Sequence, residues 1–184
     1  MPATSPQSML DKIIIIDFED SFTYNIASVL FPLNSSVKVI SHQEFFNFRI
    51  GEFLESKEKH ALILGPGPGH PDAYQKYFKQ IETFRNLPQF YVMGICLGHQ
   101  MLGLMDGKVV GLAQEQIHGQ TIFIEFDGVE RAVQRYNSLA VYEDGSEVNI
   151  RRFDRGISYQ FHPESVGTDS NPLYFKELLD FLKS

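Results

Sequence analysis

The chain has one cysteine, Cys96, in 184 residues. That excludes an intrachain disulfide, a CxxC redox pair and any zinc site built on several thiolates. No apolar run approaches the ~20 residues that a membrane span requires. The opening Met1-Pro-Ala-Thr-Ser-Pro-Gln-Ser8 has neither the basic end nor the apolar stretch of a secretory signal. Cationic residues are outnumbered: 16 Lys and Arg against 23 Asp and Glu leave a formal charge of −7. That balance argues against a general binder of phosphate backbones, since duplex binding needs a basic face. There is no internal repeat, low-complexity tract or Gly/Ser-rich linker. Hydrophobic residues at 43% and charged residues at 21% are ordinary globular usage, and a chain near this length buries about 70% of its unfolded surface. These features predict a flexible N-terminal tail over residues 1–10, a single domain over residues 11–184, a cytoplasmic setting, and no nucleic-acid or membrane partner.

Short apolar strands alternate with helical stretches through the first half. Ile13–Ile16, Val37–Ile40, Ala61–Leu64 and Phe90–Ile95 read as strands, and the first is apolar throughout, as a strand buried on both faces must be. Helices are expected from the capping oxygens of Asp20 and Ser21 to about Phe31, in part of 43–59 with a break near Gly51, over 72–86, and over 97–105. The run Gly65-Pro66-Gly67-Pro68-Gly69-His70-Pro71 can continue neither a helix nor a central strand. After Gly107, β-type pieces at 108–110, 121–126, 148–152 and 157–161 are expected to add antiparallel strands to the sheet edge. Residues 171–182 read as a closing amphipathic helix. The fold class is therefore α/β: an open, mostly parallel twisted sheet flanked by helices, with antiparallel strands in the C-terminal half.

A lone cysteine after an apolar strand is most often a small buried hydrophobe. Its neighbours change that reading. Gly94-Ile95-Cys96-Leu97-Gly98 has the G-x-nucleophile-x-G form of a strand-to-helix elbow, with sulfur in place of oxygen. Such a turn points the thiol out of the sheet at a helix N-terminus, where the dipole favours thiolate and the N–H of Leu97 faces a developing oxyanion. A base and an orienting group are also needed. His42 and His60 stand in polar stretches and are expected to be solvated, and His99 to pack or cap. His162 ends the strand 157–161 and is followed by Pro163-Glu164, and residues two apart share a face of an extended chain. Cys96, His162 and Glu164 then form a candidate nucleophile–base–carboxylate triad. Gly65–Gly69 lacks the G-K-[ST] of a phosphate loop and could instead offer N–H groups to a carbonyl oxygen.

Gly94-Ile-Cys-Leu-Gly-His-Gln100 with Gln160-Phe-His-Pro-Glu-Ser165 resembles the class I glutamine amidotransferases. Asp17-Phe-Glu-Asp-Ser-Phe-Thr-Tyr-Asn25, Leu64–Pro71 and Arg135-Tyr-Asn-Ser-Leu139 resemble their glutaminase subunits of anthranilate synthase or aminodeoxychorismate synthase. The resemblance runs from about Ile13 to the C-terminus. It implies a flavodoxin-like fold and a γ-glutamyl thioester on Cys96, with proton transfer by His162 oriented by Glu164. It also implies an oxyanion hole at Gly67 and Leu97, and a grip on the amino-acid end of glutamine by Gly67, Gly69, Gln100, Ser138 and Leu139. It implies no metal and no cofactor. The implied partners are L-glutamine and, as a hetero-oligomer, a chorismate-binding synthase that takes the ammonia.

Three departures concern the partner. The family has His-Gly-Lys where this chain has His118-Gly119-Gln120, and Arg-Tyr-His-Ser-Leu where Asn137 stands here. The segment 140–156 is shorter. Rival readings are an ammonia-supplying subunit for a different synthase, a catalytically silent binding or regulatory subunit, and a cysteine hydrolase acting on peptide or γ-glutamyl substrates.

Overall fold

Ile13 and Ile15 face one side of strand β1 (Ile13–Asp17) and Ile14 and Ile16 the other, and all four are buried. A strand apolar on both sides needs cover on both sides, so the sheet is an inner layer between helices. The computed structural model describes residues 10–116 and 118–184. The tail expected over residues 1–10 lies, apart from Leu10, outside them.

Six strands form the main sheet: β1, β2 (Val37–Ser41), β3 (His60–Leu64), β4 (Phe90–Ile95), β10 (Ile150–Phe153) and β11 (Gly156–Tyr159). Their order is β10-β11-β4-β3-β1-β2, and every pairing except β10 with β11 is parallel. The alternation set by β1 repeats in β3 and β4. Ala61, Ile63, Tyr91, Met93 and Ile95 join the core on one face. Leu62, Leu64, Phe90 and Val92 join the core on the other. No described helix is long and apolar enough to cross a membrane.

Helix α1 (Thr23–Leu30) buries Thr23, Ile26, Ala27 and Leu30, one stripe at helical spacing. It starts later than Asp20-Ser21 predicts. Asp17 Oδ1 accepts from the Glu19 N–H (2.9 Å) and the Thr23 hydroxyl (3.1 Å), and Asp20 Oδ1 accepts from the Phe22 N–H (2.8 Å). These carboxylates hold residues 19–22 as a turn rather than a first helical turn. Between β2 and β3 the chain stays helical through α2 (His42–Glu44), a π-helical turn Phe45–Arg49 and α3 (Ile50–Glu55). The break expected near Gly51 is absent. The irregularity falls instead at Phe45–Arg49, where a wider turn lets the adjacent Phe45 and Phe46 both be buried. The stretch 72–86 is 3₁₀ over Pro71–Tyr77 and becomes α4 at Phe78–Asn86. Helix α5 (Leu97–Met105) follows β4 with no intervening loop beyond Cys96.

The second half departs from expectation. Among the described residues only β10 adds an antiparallel strand to the sheet edge, while β11 lies parallel to β4. The remaining strands form two separate small sheets. One joins β5 (Val109–Leu112), β8 (Leu139–Glu143) and β9 (Ser146–Glu147). The other is a hairpin of β6 (Gln120–Phe126) and β7 (Val129–Arg135), turned by Asp127 and Gly128 at φ 52° and 77°. An Asp-Gly pair with both φ positive is the two-residue turn whose twist suits a hairpin. A 3₁₀ turn at Asn171–Phe175 leads into α6 (Lys176–Lys183).

Candidate active site

Cys96 occupies the single residue between β4 and α5, at φ 53° and ψ −100°. A non-glycine residue holds that backbone only where its surroundings enforce it. Here they do. The Cys96 N–H donates to the Tyr159 carbonyl at 2.8 Å, continuing the β4–β11 ladder, while its own carbonyl accepts from the Gln100 N–H at 3.1 Å to open α5. The flanking glycines fit because nothing larger would. A Cβ on Gly94 would lie 2.7 Å from the Gly98 carbonyl carbon, and one on Gly98 would lie 2.0 Å from the Leu64 carbonyl oxygen. The elbow read from the sequence is present with its steric cause.

The register of β4 and β11 pairs Ile95 with Tyr159, so the residues that continue from Tyr159 run beside Cys96. His162 is anchored there by β7: its N–H donates to the Gln134 carbonyl at 2.9 Å, and its carbonyl accepts from the Thr168 hydroxyl at 2.7 Å. Phe22 and Tyr136 flank the imidazole, with ring centroids 4.9 and 5.2 Å away. His162 Nδ1 and Glu164 Oε1 are 2.5 Å apart, both side chains almost wholly buried. A carboxylate accepts at Nδ1–H, which directs the Nε2 lone pair or proton away from Glu164. Nε2 is buried and has no partner in full hydrogen-bond geometry among the described residues, so its interaction with the Cys96 sulfur is a loose one. The imidazole pKa nevertheless stands well above the ordinary value. Burial opposes this, and the influence of Cys96, then of Glu164, outweighs it.

Gly67 and Leu97 are adjacent. A Cβ on Gly67 would lie 2.7 Å from Leu97 Cδ2 and 2.5 Å from Phe18 Cβ, so the glycine loop after β3 is pressed against the first residue of α5. Gln100 Nε2 donates to the Leu139 carbonyl (3.0 Å) and to Gln160 Oε1 (3.3 Å), which brings Gln100 and Leu139 into one network. Ser138 is exposed, and its carbonyl accepts from the Ala113 N–H at 2.9 Å. Gly69 is exposed at φ 84°, where an added Cβ would meet nothing within 4 Å.

Two histidines differ from expectation. His42 and His60 are buried, not solvated. His42 Nδ1 meets the Tyr77 hydroxyl at 2.8 Å, and His60 bridges Ser56 Oγ (2.7 Å) and the Asp11 carbonyl (2.9 Å). Each ring finds hydrogen bonding inside the protein, where a polar neighbourhood in sequence had suggested water would supply it. His99 is buried between Ser158 Oγ and the Val148 carbonyl, at 2.7 and 2.8 Å. Gln160, Phe22 and Tyr136 had no role in the sequence reading, although Gln160 opens the motif that carries His162. Its side-chain amide reaches Cys96 Sγ at 3.7 Å. Only the β4–β11 register could have revealed that contact.

A sequence profile of the family described as glutamine amidotransferase class-I matches residues 14–154, a span that contains Cys96 and ends before His162. Anthranilate synthase component 2 of Archaeoglobus fulgidus is 33% identical over 176 residues, covering 85% of this chain and 90% of its own. Aminodeoxychorismate synthase of Streptomyces pristinaespiralis is 31% identical over 182 residues, covering 86% of this chain and 24% of its own. Among solved structures, a glutamine amidotransferase of Thermotoga maritima superposes with a TM-score of 0.65, over 95% of this chain and 83% of its own. Its identity is 17%, so that likeness concerns the fold.

Proposed function

The chain belongs to the class-I glutamine amidotransferase family, and from that premise we propose that it is a glutaminase subunit that hydrolyses L-glutamine at Cys96. One observation carries the reading: a cysteine held at φ 53° at the start of α5, beside a buried His162–Glu164 pair 2.5 Å apart.

In this reading Cys96 Sγ attacks the carboxamide carbon and His162 Nε2 takes the thiol proton. The oxygen of the tetrahedral adduct is held by the N–H groups of Gly67 and Leu97. His162 returns the proton to the departing nitrogen, so ammonia leaves and a γ-glutamyl thioester remains. A water deprotonated by His162 then attacks the thioester, the C–S bond breaks, and glutamate leaves with Cys96 regenerated. Glu164 keeps the imidazole in the Nδ1–H tautomer. Gly67, Gly69, Gln100, Ser138 and Leu139 face the amino-acid end of the substrate. Both hydrogen bonds donated by Gln100 Nε2 are spent on Leu139 and Gln160, so Gln100 contributes its Oε1, an acceptor suited to the substrate ammonium.

The acceptor side of the reaction rests on the relatives, which bear the names of anthranilate synthase component 2 and aminodeoxychorismate synthase. The ammonia is assigned to a chorismate-using synthase partner that makes anthranilate or 4-amino-4-deoxychorismate.

The test is intact mass after incubation with an electrophilic glutamine analogue, with and without excess L-glutamine, in the presence and absence of a chorismate-using synthase. One adduct on Cys96, suppressed by glutamine, with ammonia released from glutamine itself, is the expected result. No adduct and no ammonia under either condition would overturn the reading.

A further inference from the structure

Four polar side chains and one carbonyl form a buried chain that ends on the sulfur of Cys96. Arg135 Nε donates to Asn137 Oδ1 at 2.7 Å, and Asn137 Nδ2 donates to the Leu139 carbonyl at 2.7 Å. The same carbonyl accepts from Gln100 Nε2 at 3.0 Å, Gln100 Nε2 also donates to Gln160 Oε1 at 3.3 Å, and Gln160 Nε2 reaches Cys96 Sγ at 3.7 Å. Arg135, Asn137, Gln100 and Gln160 are all buried.

An amide side chain can be turned end for end, and its neighbours decide which end faces where. Two members of this chain have no such freedom: a guanidinium only donates, and a backbone carbonyl only accepts. Arg135 therefore requires the oxygen of Asn137, and the Leu139 carbonyl requires the NH₂ groups of Asn137 and Gln100. The second hydrogen on Gln100 Nε2 needs an acceptor, which can only be the oxygen of Gln160. Nothing remains for Gln160 to present to Cys96 except its N–H. The far end of the chain thus sets the polarity of the contact at the sulfur.

We propose that Gln160 is a positioning residue for Cys96, its side-chain N–H held toward Sγ by the buried chain that runs through Gln100 and the Leu139 carbonyl to Asn137 and Arg135. The proposal rests on Cys96 being the nucleophile. A donor aimed at sulfur favours the thiolate and restrains rotation about the Cα–Cβ bond, so that the thiolate faces the substrate carbon. The charged or titratable groups that face this arrangement are His162 with Glu164 behind it, and Arg135 with Glu147 (3.5 Å) at the distal end.

Because Cys96 is the only cysteine in the sequence, thiolate absorbance near 240 nm reports it alone once the signal of a Cys96→Ala blank is subtracted. Gln160→Glu keeps an acceptor for Gln100 and places an oxygen, not an N–H, on the sulfur. Gln100→Leu leaves Gln160 in place and frees its amide to turn. The expected result is a titration midpoint about one pH unit higher in Gln160→Glu, equivalent to a tenfold loss of thiolate below the midpoint, with a smaller rise in Gln100→Leu. Circular-dichroism melts confirm that each variant is folded. A folded Gln160→Glu with the parental midpoint would overturn the proposal. A raised midpoint in Gln160→Glu with none in Gln100→Leu would overturn the role of the chain and confine the effect to Gln160. Neither readout uses glutamine, so an inactive chain whose midpoint shifts as expected would count against the proposed hydrolysis and not against the positioning.

Discussion

A Cβ at position 98 would stand 2.0 Å from the carbonyl oxygen of Leu64, so α5 crosses the end of β3 at a distance only glycine allows. The contact joins the strand that ends in the glycine loop to the helix that starts at Cys96. It therefore fixes Gly67 and Leu97 relative to one another, and the adjacency of the two proposed oxyanion donors follows from it.

Gly98→Ala must push α5 away from β3. Forcing a methyl group into closed packing costs about 1–3 kcal/mol. The expected outcome is a melting temperature several degrees lower and loss of the Cys96 adduct with the glutamine analogue. A variant that melts and labels like the parent would show that the close approach does not exist in solution.

His162→Ala should slow glutamine turnover by about 10²–10⁴-fold, the range for a lost general acid–base. Cys96→Ser should release no ammonia while folding normally, since oxygen replaces sulfur with little change in volume. Steady-state ammonia release checks both. Parental rates in either variant would remove that residue from the mechanism.

The raised pKa of His162 makes stability depend on alkaline pH. The folded value lies above the unfolded value of 6.5, so the stabilisation is present in full below about pH 6.5 and is lost as pH rises through the folded value. Glu164→Gln removes part of the cause. Its melting temperature should therefore fall less steeply than the parent's between neutral and alkaline pH. Parallel pH profiles for the two proteins would contradict the coupling.

His99 makes the opposite contribution. Burial in α5 lowers its pKa from 6.5 to about 4, so the native state holds it neutral where the unfolded chain would protonate it. The stabilisation is complete above about pH 6.5 and disappears as pH falls to about 4, a difference on the order of 3 kcal/mol. Thermal melts of His99→Gln across that window should show a shallower loss of stability with acid than the parent. Equal slopes would place the acid sensitivity elsewhere.

Features that depend on neighbours in the chain were legible in the sequence. The four isoleucines of β1 require a sheet covered on both faces, and Gly94-Ile-Cys-Leu-Gly98 requires an elbow, because each pattern constrains backbone and packing within a few residues. The His162–Glu164 contact is also local, but it forms across a turn and not along the extended chain expected: Pro163 and Glu164 are a turn closed by the Ser165 N–H on the His162 carbonyl at 3.2 Å, and the strand ends at Tyr159. Strands β7, β8 and β9 were missed, β7 in spite of a local signal, the Asp127-Gly128 pair that turns the hairpin. Glu130, Arg131 and Gln134 give β7 no apolar alternation, and its Val133 is buried in a core built by residues of other elements. Likewise His42 and His60 are polar in sequence and buried in space, because Tyr77, Ser56 and the Asp11 carbonyl supply their hydrogen bonds from other elements.

By itself the sequence determined the α/β layering, the elbow at Cys96 and the His162–Glu164 pair, all of which follow from spacing over short stretches of chain. Tertiary structure alone decided that β11 lies parallel to β4 with Tyr159 opposite Ile95, and therefore that Gln160 meets Cys96 and that Arg135 sets the direction of its amide. A period-two pattern says which side of a strand is buried. It carries no information about which strand lies alongside or in what register, because those are settled by contacts between residues far apart in sequence.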